Sequence, residues 1–318
     1  MRFAAAIAAL AFAGNAAAER LTIATWNMEW MMTPATFDSL APNCSGPGRR
    51  VGGSERGIPC DLVPASRWST EDLARLRAFA ATLPLDVIAL QETDGVEAAS
   101  QVFAERAFCF TKRRHVQNVG FAIRSGIPYR CNRDVRALGL ADNDVRWGAD
   151  LTLYPGTPQE LRLLAVHLKS ACNRDLLTDP RPDCRMLQQQ VPVLEDWIDR
   201  RASNRDAFAV IGDFNRRFDR ERDSARDAHD RITAMWQEID DGEPAEADLT
   251  DAGADFGPVG CDNGHGARMP IDYLVLGRKL ARRMVARSFR AWDYPGGGRW
   301  PDHCVMSVEI DLEGPNGL

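Results

Sequence analysis

A layered α/β fold with mixed strands, rather than a simple doubly wound sheet, is the class this sequence predicts. Eight short apolar runs with strand character recur along the chain, several in hairpin-like succession, and helical spacing falls between them. Composition agrees. With 45% hydrophobic and 26% charged residues, the 318-residue chain lies in the globular range, which excludes disordered, collagen-like and coiled-coil classes.

The elements follow in chain order. Arg2, an apolar run over 4–13 and the small-residue end Ala16-Ala17-Ala18 have the form of a secretory signal peptide over 1–18. That run is far short of the ~18 apolar residues a membrane span needs, and no later stretch reaches that length. A soluble, exported product, secreted or periplasmic, is therefore expected. Removing 1–18 takes away one Arg and no acid, leaving 300 residues with a net charge of −7.

Strand patterns follow at 21–26, 86–90, 119–124, 149–154, 161–167, 207–211 and 271–276. The last run, 304–311, alternates cleanly: Met306, Val308 and Ile310 share one face, and Ser307, Glu309 and Asp311 share the other. Ser69 and Asp72 form a capping-box pattern ahead of Leu73, Leu76, Phe79 and Leu83 at helical spacing, with Pro84 as the stop. Leu187, Val191, Leu194 and Ile198 mark a second helix that contains Pro192, and Ile232, Met235, Trp236 and Ile239 mark a third after the charged run 216–230. Residues 33–67, rich in Pro, Gly and Ser, and the polar stretch 172–184 read as surface loops, because strand patterns resume after each.

Eight cysteines, at 44, 60, 109, 131, 172, 184, 261 and 304, suit an oxidising compartment. They include no closely spaced pair of the kind zinc favours. About 105 connectivities are open to eight cysteines. Pairing of neighbours, 44–60, 109–131, 172–184 and 261–304, is the expectation, since each bridge then closes a polar or Gly/Pro-rich excursion.

Lys plus Arg number 39 against 45 Asp plus Glu, a net charge of −6. Such a balance argues against coating nucleic acid through bulk positive charge, but not against gripping a few phosphates locally. Polar residues gather at the ends of the apolar runs: Asn27, Gln91-Glu92, His167, Gly212-Asp213-Phe214-Asn215, Asp272 and Asp302-His303. One Asp or Asn beside a strand is most often a turn or cap residue. Six such placements, all carboxylate, carboxamide or imidazole, are hard to assign to turns alone. Their chemistry is coherent. Hard divalent cations prefer oxygen ligands, Mg²⁺ taking one or two carboxylates and sharing a substrate phosphate, so Glu92 can anchor one, with Asn27 and Asp302 beside it. Two histidines and a free Asp add acid–base capacity near neutral pH.

The succession Trp26-Asn27, Gln91-Glu92, His167, Gly212-Asp213-Phe214-Asn215, Ile271-Asp272-Tyr273 and Asp302-His303 resembles the endonuclease/exonuclease/phosphatase superfamily, the deoxyribonuclease I-like enzymes, over nearly the whole mature chain. The resemblance implies a four-layer α/β sandwich, two packed mixed β-sheets flanked by helices, with the site at one end. It implies Glu92 as principal metal ligand with Asn27 and Asp302, for Mg²⁺ or its substitute Mn²⁺. It makes His303 a general base or electrostatic partner of the scissile phosphate, oriented by Asp272, and gives Asp213 and Asn215 the nucleophilic water and a phosphate oxygen. His167 matches the second histidine of such enzymes, and Arg146, in Asp144-Val145-Arg146-Trp147-Gly148, stands where they place a phosphate-binding arginine.

Two positions depart from the pattern. Pro301 stands where Ser is common, and Gln117 and Asn118 stand where a carboxylate partner for the second histidine is expected. Asp302-His303 is unlike the Asp-Arg of inositol phosphatases, and His167 is unlike the aromatic hydroxyl of AP endonucleases. His167-Leu168-Lys169-Ser170 resembles the His-x-Lys-Ser stretch of the secreted bacterial nuclease-like branch, with Lys169 as a second phosphate cation. The expected enzyme is a monomeric, exported, metal-dependent phosphodiesterase acting on DNA or RNA. Alternatives are a sphingomyelinase-like enzyme acting on phospholipid, or a binding protein or toxin subunit that kept the fold and lost the chemistry. Trp292, Tyr294 and Trp300, around Gly296-Gly297-Gly298, are candidates to meet lipid headgroups or single-stranded bases. Length alone suggests about two domains, but motifs spread from Asn27 to His303 must converge on one site. One catalytic domain over 19–318 is expected instead.

Overall fold

The computed structural model describes residues 19–44, 57–141, 145–173, 175–221 and 233–313. The expected signal segment, the middle of the 33–67 loop, Asp144, Ile232 and most of the charged run 216–230 lie outside them.

Two sheets of six strands carry the described chain. The strands are β1 (Arg20–Met31), β2 (Val87–Thr93), β3 (Arg106–Phe110), β4 (Asn118–Arg124), β5 (Tyr129–Cys131), β6 (Ala149–Leu153), β7 (Leu161–His167), β8 (Ala207–Asp213), β9 (Thr250–Asp251), β10 (Asp272–Leu276), β11 (Arg290–Trp292) and β12 (Val305–Asp311). The first sheet runs β11-β12-β1-β2-β4-β3 and the second β9-β10-β8-β7-β6-β5. Read this way, both follow one plan: a single parallel pair at the centre, β1 with β2 and β8 with β7, flanked by antiparallel neighbours. The two sheets are thus related by a topological dyad.

Burial explains the sequence patterns. Leu21, Ile23, Phe121 and Ile123 of the first sheet pack with Leu151, Leu163, Ile211 and Leu274 of the second, forming the central core. Met306, Val308 and Ile310 join it, as the alternation of the last run predicts. The outer face of the first sheet packs Trp26, Ile88 and Leu90 against Leu73, Leu76 and Phe79 of the helix Thr70–Thr82. The outer face of the second packs Leu164, Val166 and Val210 against Leu187, Val191, Leu194 and Ile198 of the helix Pro182–Ser203. Strands covered on both faces read as continuous apolar runs. The result is helix, sheet, sheet, helix.

The capping box forms as expected. Ser69 Oγ accepts from the Asp72 backbone N–H, Asp72 accepts from the Ser69 N–H, and the helix ends at Thr82 before Pro84. Pro192 stays inside the long helix. The third helix is a short turn, Met235–Ile239. The 33–67 segment departs from a plain loop: helices Pro34–Leu40 and Val63–Ser66 form there, and Met32, Phe37, Ile58 and Val116 make a small core of their own. All four neighbour disulfides are present, Cys44–Cys60, Cys109–Cys131, Cys172–Cys184 and Cys261–Cys304. Among the described residues no helix is long and apolar enough to cross a membrane.

Candidate active site

Parallel pairing sends the C-terminal ends of β1, β2, β7 and β8 to one edge, and the antiparallel β12 and β10 bring their N-terminal ends to the same edge. Asn27, Glu92, His167, Asp213, Asp272 and the Asp302-His303 pair therefore meet there. The dyad relates them in pairs: Asn27 with Asp213 on the inner strands, Glu92 with His167 beside them, and His303 with Asp272 on the returning strands.

Local backbone irregularity aims the side chains. The β1–β2 register shifts between Asn27 and Met31, and Glu29, Trp30 and Glu92 all have positive φ, at 47°, 53° and 54°. This bulge turns the Glu92 carboxylate so that Oε2 accepts from the Trp30 backbone N–H at 3.1 Å. In the second sheet Gly212 has φ 143°, and a Cβ there would lie 2.1 Å from the Val166 carbonyl oxygen, so only glycine allows β7 and β8 to approach this closely. The next residues form a tight Asx turn in which Asp213 Oδ1 accepts from the Asn215 N–H at 2.8 Å, with Asn215 at φ 53°.

Asn27 Nδ2 donates to Glu92 Oε1 at 3.3 Å and to Asp213 Oδ2 at 3.1 Å, an amide bridge between carboxylates from the two sheets. His167 Nε2 lies 3.5 Å from Asp213 Oδ2 and 3.7 Å from Glu92 Oε1. Its carboxylate neighbours thus come from β8 and β2, while Asn118 bonds Thr111 and the His115 carbonyl instead. His303 Nδ1 meets Asp272 Oδ2 at 2.6 Å, which leaves Nε2 4.0 Å from both Asp213 Oδ2 and Asp302 Oδ1. Asn215 Nδ2 donates to the Leu168 carbonyl at 3.1 Å.

The two cations assigned to substrate phosphate are differently placed. Arg146 donates from Nε to the His167 carbonyl at 3.1 Å and from Nη2 to the Leu168 carbonyl, so it clamps the β7 end beside the cluster. Lys169 is not brought into the cluster. Its Nζ pairs with Asp183 at 2.8 Å and donates to the Ser170 carbonyl at 2.9 Å.

The field of the site is unbalanced toward carboxylates. Burial, then the charge of Asp272, pushes the Asp213 carboxyl up to about 7 against the pull of His303. Burial likewise raises Glu92, with His303 opposing it. Burial alone would depress His303, but Asp272, Asp213 and Asp302 outweigh it and hold the imidazole well above its ordinary range. His167 goes the other way: burial, then Arg146 and His303, drives it well below and keeps it neutral. The two imidazoles are therefore driven in opposite directions by the same site.

The donor set fits a hard divalent cation. Carboxylate oxygens of Asp213 and Asp272 lie within 4.8 Å of each other and of a His303 ring nitrogen, and the charge of Asp302 adds to the rise of Glu92; the carboxylates and the Asn27 amide, rather than the imidazole, suit such an ion. Asp272 Oδ1 is buried with no hydrogen-bond partner among the described residues, an oxygen placed to receive a cation or a donor.

Three residues of the site carry no sequence pattern of their own. Glu29, two positions after Asn27, is pushed up to about 7 by burial and by Asp302, although Arg299 pairs with it at 3.2 Å. Asn263 donates to the Pro301 and Asp302 carbonyls at 3.2 and 2.9 Å. Tyr294 accepts from Trp26 Nε1 at 2.9 Å and donates to the His303 carbonyl at 2.7 Å. Tyr294 and Trp300, expected on an exposed loop, are buried and stacked on each other at 4.9 Å, and Trp292 Nε1 donates to Ser307. A cleft of about 390 Å³ opens beside Asp272, Asp302 and His303.

A sequence profile described as the Endonuclease/Exonuclease/phosphatase family matches residues 24–307. No curated protein sequence matches. Among solved structures, truncated TDP2 from Caenorhabditis elegans is similar with a TM-score of 0.56 at 14% identity, over 92% of this chain and 98% of that one. The 3'-5' exonuclease NExo from Neisseria meningitidis gives a TM-score of 0.54 at 17% identity, over 92% and 100%. The human Nocturnin catalytic domain with bound sulfate gives a TM-score of 0.54 at 15% identity, over 91% and 93%. At these identities the likeness is one of fold.

Proposed function

The chain belongs to the endonuclease/exonuclease/phosphatase family, and from that premise we propose that it is an exported, divalent-metal-dependent phosphodiesterase that cleaves DNA or RNA, with 19–318 as one catalytic domain. The observation that carries this reading is the meeting of Glu92, Asp213, Asp272 and His303, two from each sheet side of the seam, around one point at the strand ends.

Phosphoryl transfer asks a protein mainly for positioning and for stabilisation of charge on the phosphate oxygens. Glu92, with Asn27 and Asp302, would hold Mg²⁺ or Mn²⁺, which when bound neutralises charge on the phosphate. Asp213, titrating near neutrality, takes the proton of the attacking water, and Asn27 and Asn215 orient that water. His303, kept cationic and aligned by Asp272, faces the phosphate oxygens. His167 is neutral and acts as a hydrogen-bond donor, and Arg146 adds positive charge while fixing the His167–Leu168 backbone. Lys169 supports that segment through Asp183. Four disulfides support export. The burial of Tyr294 and Trp300 takes both rings away from the role of meeting lipid headgroups or single-stranded bases, so neither substrate class draws support from them.

The test is the purified oxidised protein with Mg²⁺ or Mn²⁺ against DNA, RNA, sphingomyelin and phosphoinositides in parallel, with and without EDTA. Nucleic-acid cleavage abolished by EDTA is expected. Sphingomyelin turnover without nucleic-acid turnover overturns the substrate class, and turnover in EDTA overturns the metal.

A further inference from the structure

The cleft of about 390 Å³ has Asp272, Asp302 and His303 in its wall, so a group lying in it is attached directly beside the reacting phosphate. Its size is that of a pocket for one small molecule, at the lower end of the ~300–1,000 Å³ range. Its apolar lining is formed by Val259, Met269, Pro270 and Met306. Its polar lining includes Arg217, His265 and Arg268 along with Asp272, Asp302 and His303.

This wall is built rather than loose. Val259 and Arg268 exchange two backbone hydrogen bonds at 2.7 and 2.8 Å, closing a small loop. The Cys261–Cys304 disulfide and the Asn263 bonds to Pro301 and Asp302 tie that loop to the residues around His303. Arg217 is neutralised by Asp219, to which it donates at 2.7 and 2.6 Å. Arg268 is exposed, and its guanidinium makes no hydrogen bond or ion pair among the described residues. Arg268 thus stands as a local, unneutralised cation in a cleft that also holds the carboxylates of Asp272 and Asp302, in a chain whose net charge is −6.

We infer that this cleft seats one unpaired nucleotide next to the scissile phosphate, its base on the Met269–Pro270 side and its neighbouring phosphate at Arg268, so that the preferred substrate is single-stranded nucleic acid. This rests on the phosphodiesterase reading above and narrows it. A base held in a duplex is paired and stacked, and it enters a concave cleft only by leaving the stack. A choline headgroup is itself a cation, which Arg268 repels. A chain of net charge −6 has no overall attraction for a duplex, but one local cation beside apolar lining suffices for one nucleotide of a flexible strand.

The experiment compares wild type, Arg268→Glu and Met269→Trp by kcat/KM on a single-stranded oligonucleotide, on the same sequence as a blunt duplex, and on bis(p-nitrophenyl) phosphate, which has no neighbouring phosphate for Arg268 to hold. Wild type is expected to prefer the single strand. Arg268→Glu is expected to lose about tenfold more on the oligonucleotide than on the small diester, with the salt slope of its KM reduced by about one phosphate contact. Met269→Trp, which adds bulk beside Pro270, is expected to lower kcat/KM on the oligonucleotide with the salt slope unchanged, and the contrast between oligonucleotide and small diester is read from Arg268→Glu. Arg268 is exposed, so its variant keeps the test intact if the Met269 variant fails to fold. Equal losses on both substrates, or a duplex cut as fast as the single strand, overturn the cleft assignment while the nuclease stands. A wild type that cuts no nucleic acid overturns both.

Discussion

Nδ1 of His303 lies 2.6 Å from Oδ2 of Asp272, a bond that joins the turn before β12 in one sheet to the first residue of β10 in the other. It aligns the imidazole so that Nε2 faces Asp213. Asp272→Asn is expected to lower kcat by about 10²–10⁴, the range for acid–base and positioning groups, with a smaller change in KM and an unchanged circular dichroism spectrum. Full kcat in a folded Asp272→Asn protein takes Asp272 out of the site.

Tyr294 supports the same turn from beneath, through the His303 carbonyl and the Trp26 indole. Tyr294→Phe removes the hydroxyl and leaves a buried indole N–H without its partner, at a cost of about 1–3 kcal/mol. Urea unfolding measures this, and activity should fall as well, because the His303 backbone loses a tether. A variant as stable as wild type contradicts the assignment.

Metal binding is testable apart from turnover. Mn²⁺ is expected to raise the melting temperature of the wild type by preferential binding to the folded state, and Glu92→Gln to abolish most of that rise. Equal Mn²⁺ shifts in both proteins remove Glu92 from the ligand set.

Far from the site, Glu195 on the long helix predicts a pH effect on stability. Burial first, then Glu238, Asp199, Asp241 and Asp196, pushes its carboxyl from 4.5 up to about 7. Below about pH 4.5 the group is protonated in both the folded and unfolded states. Above about pH 7 the folded state bears the whole cost of a half-buried, repelled carboxylate, so this contribution to stability falls as pH rises between the two values. Glu195→Gln should therefore melt higher than wild type near pH 8 and equally near pH 4. A wild-type advantage near pH 8 reverses the sign and refutes the assignment.

The Cys261–Cys304 bridge closes a 43-residue separation, for which loop entropy gives about 4 kcal/mol. Because Cys304 follows His303 directly, titration with a reductant should extinguish activity before global unfolding. Coincident loss of activity and tryptophan signal argues against a local role.

Much of the fold was legible in the sequence, for physical reasons that also set the limits. The run ending at His167 is apolar from Leu163 to Val166 because β7 is covered on both faces there, Arg162 near its start pairing with Asp150, and 304–311 alternates because only one face of β12 is sealed in the central core. The Ser69–Asp72 cap is local chemistry, readable without tertiary contacts. Strands β5, β9 and β11 are two or three residues long and exist by virtue of their neighbours, so no period announces them. The helix Gly95–Val102 begins at a glycine of φ 69° and has no side-chain cap. In the site, Asn27, Glu92, Asp213 and Asp272 stood out because each interrupts or ends an apolar run. Glu29 was hidden inside a bulge that its own spacing does not reveal. Tyr294 was misplaced, since glycines nearby suggested an open loop while its ring stacks on Trp300 and its hydroxyl reaches Trp26, 268 residues away in sequence.

The dyad between the sheets has a consequence for folding as well as for chemistry. Neither sheet alone holds a complete reaction centre, since Asn27, Glu92 and His303 lie on one and His167, Asp213 and Asp272 on the other. Turnover is thus a gauge of whether the two sheets have closed on one another. With the proposed site split in this way, a loosened, collapsed state that kept every strand and helix but parted the seam is expected to be inactive.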